Sequence, residues 1–143
     1  MGKAVLKEKL GQIEEICEQL GASHEIIREV ASFKVHEVTI RPVLNGQKKS
    51  FSAIRVWHCN PWTPNPVRGG FRRHKNLNEE LLKVFSIDMT IKCAVTNTQS
   101  GGAKGGLIID PQKYTKDELR YLLELTIDEF LFLYNFGVSG LLF

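Results

Sequence analysis

The 143 residues carry 43% hydrophobic and 24% charged side chains, which is ordinary for a single globular domain with its own core. A formal net charge of +3 is too small to argue for a nucleic-acid binder. Cys17, Cys59 and Cys93 are scattered and odd in number, without metal-ligand spacing. No disulfide framework and no metal site is expected, and a reduced, cytoplasmic protein fits this usage best.

The N-terminus, Met1 to Glu8, has neither a long apolar core nor a cleavage signal, so no secretory leader is read there. No apolar run reaches the length of about 18 residues that a membrane span needs, and no membrane partner is expected. Leu6, Leu10, Ile13, Cys17 and Leu20 recur at helical spacing, and Gly21 supplies a stop. Ser23 is a candidate N-cap for a second, shorter helix. Lys34 to Val43 reads as a strand rich in β-branched residues, Asn45-Gly46 as a turn, and Phe51 to His58 as the returning strand of an antiparallel hairpin.

Pro61, Pro64, Pro66 and two glycines mark a loop from Asn60 to Gly70. Asn76 with Glu79 resembles a capping box opening a helix from about Leu77 to Ala94. Leu82, Phe85 and Met89 form its apolar face, and Lys92 continues the same stripe. An ammonium on a core-facing stripe must snorkel, pair, or meet a ligand anion. Thr115 with Glu118 is a second capping box, followed by Leu119, Leu122, Leu123 and Thr126 at helical spacing. Phe130 to Phe143 is nearly all apolar and is interrupted by Gly137 and Gly140. A domain of residues 1–129 with an apolar tail, 130–143, is therefore expected. The alternation of patterns implies an α/β fold, a mixed sheet with flanking helices.

Half of the twelve glycines lie in three pairs, Gly69-Gly70, Gly101-Gly102 and Gly105-Gly106. Arg68, Lys92 and Lys104 accompany them. From Arg68 to Lys75 there are four formal positive charges plus His74 and no acid, which reads either as a solvated basic loop or as an anion-binding surface. A small dianion needs separated cations of fixed geometry, with glycines letting backbone and ligand come close. A lysine crowded by cations and partly desolvated has its pKa pushed down, toward the range useful for general acid–base work. Lys104 is followed by Gly105-Gly106, so the loop is not a phosphate-binding P-loop, and no dinucleotide-binding glycine fingerprint is present.

Three motifs, Arg68-Gly69-Gly70-Phe71-Arg72-Arg73-His74, Met89-Thr90-Ile91-Lys92-Cys93-Ala94 and Gly101-Gly102-Ala103-Lys104-Gly105-Gly106, stand in this order with Asp110-Pro111 behind them. Their order and spacing strongly resemble the N-terminal, substrate-binding and dimerisation domain of glutamate dehydrogenases, in the Glu/Leu/Phe/Val dehydrogenase superfamily. The resemblance covers roughly Leu6 to Glu129. It implies Lys104 as the catalytic lysine, with Arg68, Gly69, Gly70, Met89 and Lys92 binding substrate. Arg68 stands where the family has a lysine for the side-chain carboxylate, and Lys92 matches the lysine for the α-carboxylate. It implies glutamate and 2-oxoglutarate as ligands and NAD or NADP as cofactor. Homo-oligomers, or association with full-length homologous subunits, are implied as partners.

Other positions depart from that pattern. Arg68 replaces a lysine, and Thr98-Gln99-Ser100 replaces the usual lead into the glycine loop. The downstream segment carrying the family's catalytic aspartate is missing, as is the nucleotide-binding domain. The expectation is the substrate domain of a glutamate dehydrogenase, truncated and inactive as this chain alone. The alternatives are a non-catalytic oligomerisation, regulatory or dicarboxylate-binding module, or a decayed gene fragment.

Overall fold

The computed structural model describes residues 2–58 and 67–137, with side chains described to residue 133. Two helices open it, α1 (Gly2–Gln19) and α2 (His24–Val30). Gly21 takes the left-handed φ of 70° that ends α1, and the Ser23 side chain accepts from the Ile26 amide to cap α2. The strands are β1 (Phe33–Ile40), β2 (Val43–Leu44), β3 (Gln47–Lys48), β4 (Phe51–His58), β5 (Phe71–Arg73) and β6 (Gly102–Leu107). α3 (Glu79–Val95) joins β5 to β6, and α4 (Lys116–Gly137) follows a single 3-10 turn at Pro111–Lys113.

One four-stranded sheet has the order β1-β4-β6-β5, antiparallel except for the parallel β5/β6 pair. It is the mixed sheet with flanking helices that the alternating patterns imply. β4 alternates between two layers. Ala53, with Phe51 and Trp57 beside it, packs with Val38, Ile40, Leu107, Leu122 and Phe130 under α4. Ile54 and Val56 pack with Leu77 and Leu82 under α3. α1 lies outside α3 and is tied to it by the Lys9–Asp88 ion pair.

The expected strand from Lys34 to Val43 divides. β1 stops at Ile40, because Pro42 lacks the amide a continuing ladder needs. Ile40 pairs with Phe51, so the hairpin forms. Asn45-Gly46 closes only the short β2/β3 ladder between its arms, with both residues at positive φ, 52° and 76°.

The cap of α3 moves from Asn76 to Asn78. The amide of Asn76 donates to His74 Nδ1 in a turn, and the Asn78 side chain accepts from the Leu81 amide at 2.9 Å. Replacing Asn78 by alanine is expected to cost about 1 kcal/mol, read as a lower urea midpoint at unchanged slope. The Thr115–Glu118 box forms reciprocally, the Thr115 amide donating to Glu118 at 2.8 Å and the Glu118 amide to Thr115 Oγ1 at 3.2 Å. α4 runs on past residue 129 to Gly137, and Phe130 lies in the core with Phe71 against it. The rest of the apolar tail, 138–143, lies outside the described residues.

Candidate functional site

β6 is a strand with few side chains to grip its neighbours. Gly102, Lys104 and Gly106 face α3, as alternation along a strand requires. A β-carbon on Gly102 would stand 2.2 Å from the Ser86 carbonyl oxygen and 2.3 Å from the Thr90 amide. One on Gly106 would meet Leu77 at 2.4 Å. α3 therefore sits directly on the backbone of β6 at Gly102, the Leu77 side chain just ahead of α3 covers Gly106, and Lys104 is the one side chain between them.

The segment before β5 runs beside the other edge of β6. The Arg68 amide donates to the Gly101 carbonyl at 2.9 Å, the Ala103 amide to the Arg68 carbonyl at 2.7 Å, and the Gly105 amide to the Gly70 carbonyl at 3.1 Å. This approach leaves no room at Gly69, whose β-carbon would fall 1.5 Å from the Ala103 carbonyl oxygen. A β-carbon on Gly70 would lie 3.3 Å from Lys104 Nζ, so the amine rests against the bare backbone there. The Arg55 guanidinium donates to the Gly69 carbonyl at 3.4 Å and fixes this segment from the α4 side.

The Lys104 amine is half-buried and held below the ordinary lysine pKa, chiefly by desolvation and then by the positive charges of Arg72, Lys92 and Arg55. The Arg72 guanidinium is itself placed 4.9 Å over the Phe85 ring. Of the residues singled out in sequence, Gly69, Gly70, Lys92 and Lys104 are brought together. Arg68 joins through its backbone, with its side chain exposed, and Met89 is half-buried on α3. Lys92 is exposed in the last turn of α3, so it does not share the buried stripe of Leu82, Ser86, Ile87 and Cys93. Arg55 and Arg72 were not expected at this amine. Arg72 carried a signal, the acid-free basic run, whereas Arg55 is an ordinary charged position in a strand.

Whether these residues fit a nicotinamide dinucleotide can be tested on the β5-α3-β6 unit. A pyrophosphate needs glycines between strand and helix N-terminus. Here the connecting residues are His74, Lys75, Asn76, Leu77 and Asn78, none of them glycine. The described residues do not fit that cofactor, and no hydride step is derived from them. No group of three or more His, Cys, Asp or Glu among the described residues could hold a metal ion. No helix among them is long and apolar enough to cross a membrane.

The comparisons with known proteins bear on the family and the fold. The family model described as "Glu/Leu/Phe/Val dehydrogenase, dimerisation domain" matches residues 33–136. The NAD-specific glutamate dehydrogenase of Clostridioides difficile is 36% identical over 121 residues, 82% of this chain and 28% of that protein. The catabolic NAD-specific enzyme of Bacillus subtilis is 35% identical over 102 residues, 71% of this chain and 23% of that protein. Among solved structures, the glutamate dehydrogenase of Peptoniphilus asaccharolyticus superposes with a TM-score of 0.80 at 28% identity, covering 87% of this chain and 32% of its own. The chain thus spans less than a third of the length of each of these relatives. With residues 33–136 matched by that model, the chain belongs to the Glu/Leu/Phe/Val dehydrogenase family, as its dimerisation domain.

Proposed function

We propose that this chain, with α4 and its core residue Phe130 included, forms the substrate-binding and dimerisation unit of an NAD-dependent glutamate dehydrogenase. The observation that carries this reading is the Lys104 amine, set against Gly70 and among Lys92, Arg72 and Arg55. Cations on several sides of one half-desolvated amine raise the affinity for a ligand with two carboxylates, glutamate or 2-oxoglutarate. On this reading Lys92 and Arg68 hold the two carboxylates, Met89 lies beside them, and Gly69 and Gly70 line the pocket through their backbones. Lys104 then polarises the carbonyl or moves a proton at its Nζ. The relatives are NAD-specific by name, which favours NAD over NADP. Hydride transfer requires a nucleotide-binding unit that these residues do not provide, so the 143-residue chain binds dicarboxylate without turning over glutamate.

The match to a dimerisation domain supports self-association, or association with full-length homologous subunits.

Calorimetry with the purified chain tests the site. 2-Oxoglutarate and glutarate are expected to bind, leucine not to bind, and Lys92→Gln to weaken 2-oxoglutarate binding roughly tenfold, as the loss of one charge-assisted contact predicts. Leucine binding as tightly as the dicarboxylates, or no binding of either, would overturn the assignment.

A further inference from the structure

His58 ends β4 and is 2% exposed, with the Phe33 ring 5.2 Å from its own. Both of its ring nitrogens are engaged. Nε2 lies 2.5 Å from the Val30 carbonyl oxygen at the end of α2, and Nδ1 lies 2.8 Å from Thr90 Oγ1 on α3. Thr90 Oγ1 in turn accepts from the Gly102 amide at 2.8 Å, at the first residue of β6.

Counting protons fixes the direction of this chain. A carbonyl oxygen only accepts, so Nε2 carries a hydrogen. Burial lowers the His58 pKa, against a smaller opposing effect of the Val30 bond, and so favours the neutral ring. Neutral His58 with its hydrogen on Nε2 offers Nδ1 as an acceptor. The Thr90 hydroxyl has one proton and two acceptors in reach, His58 Nδ1 at 2.8 Å and the Ser86 carbonyl at 3.2 Å. Donation to the closer nitrogen turns the oxygen lone pairs toward the Gly102 amide.

β6 needs this anchor. Two of its three residues facing α3 are glycines, so side-chain packing does little to hold the strand's height and register against the helix. Gly102 is flanked within the sheet by His58 of β4 and by Arg68, but toward α3 its amide makes the bond to Thr90, and Lys104 follows two residues later on the same face. We infer that His58 and Thr90 are positioning residues for Lys104, acting through the Gly102 amide to set where its amine stands. The inference rests on Lys104 being the working amine of the proposed site, but its test needs no ligand.

The readouts are amide hydrogen exchange at Gly102 and titration of Lys104 after reductive 13C-methylation of the lysines. Thr90→Val keeps the shape and removes the acceptor. Exchange at Gly102 is expected to rise roughly tenfold, and the Lys104 titration to move up toward the other lysines. His58→Leu is expected to do the same more weakly, and Thr90→Ser to restore both readouts. A purely structural role would raise exchange throughout the core and would leave Lys104 where it is. An unchanged Lys104 titration in folded Thr90→Val or His58→Leu overturns the inference. So does a wild-type His58 whose nitrogen NMR shifts place the proton on Nδ1, which decides the matter if those two variants fail to fold. Loss of 2-oxoglutarate binding by the wild-type chain, with the Lys104 shift intact, would sink the dehydrogenase reading and leave this one standing.

Discussion

Gly102→Ala is expected to remove about 3 kcal/mol of stability, a large part of what a domain of this size possesses. The new β-carbon would lie 2.2 Å from the Ser86 carbonyl oxygen, 2.3 Å from the Thr90 amide nitrogen and 2.5 Å from Thr90 Oγ1. Two of these are backbone atoms of α3, which no rotamer change can move. Helix and strand must separate, which opens the layer of Leu82, Ile54 and Val56 and breaks the Thr90–Gly102 bond. Overpacking costs about 1–3 kcal/mol in a well-packed core, and the lost hydrogen bond adds about 1 kcal/mol. Gly11 is the internal control. It lies inside α1 with nothing within 4 Å of its would-be β-carbon, so Gly11→Ala should stabilise by roughly 0.5–1 kcal/mol. Urea denaturation of both variants separates a steric glycine from a tolerant one. Equal midpoints for the two would show that α3 does not rest on β6.

Lys104→Met is expected to move binding and stability in opposite directions. Dicarboxylate binding should fall below detection, because the variant keeps the length of the side chain but loses its charge and its proton. Thermal stability at neutral pH should rise. Burial and the charges of Arg72, Lys92 and Arg55 lower the Lys104 pKa in the folded chain from the ordinary 10.5. Below both values the ammonium is present in folded and unfolded chains alike, and its unfavourable surroundings are a standing cost to the fold. As pH rises through the folded value the native state sheds its proton first, the unfolded chain binds more protons, and wild-type stability climbs until about 10.5. Methionine has no such cost to relieve. The melting temperature of Lys104→Met should exceed wild type at pH 7, with the gap narrowing toward alkaline pH. A lower melting temperature at pH 7, or a gap that widens with pH, would contradict the crowding of cations around this amine.

Local chemistry was readable where a few neighbouring residues settle their own geometry. Ser23 caps α2, Asn45-Gly46 makes its turn, and Thr115 and Glu118 exchange hydrogen bonds, because each needs partners only three or fewer positions away. Choices between near-equal local options were not readable. Asn76 and Asn78 are both good caps, and the His74 ring decided between them by taking the Asn76 amide. The stripe through Lys92 followed one helical period, but α3 is covered by the sheet on one side and by α1 on another. Its buried positions therefore differ from a single-face pattern.

The amino-acid sequence by itself determined that a lysine stands in a cage of glycines, with cations in two other motifs and an α/β alternation around them. Only the tertiary structure decided what the glycines are for. Gly102 clears the face of β6 for α3, Gly106 makes room for the Leu77 side chain, Gly69 admits a neighbouring backbone, and Gly70 bares the Lys104 amine. The same packing chose Arg72 and Arg55 as that amine's neighbours and joined His58 to Gly102 through Thr90. These contacts link strands and helices far apart in the chain. Their distances follow from how the layers stack, and residue spacing along the sequence does not encode that stacking.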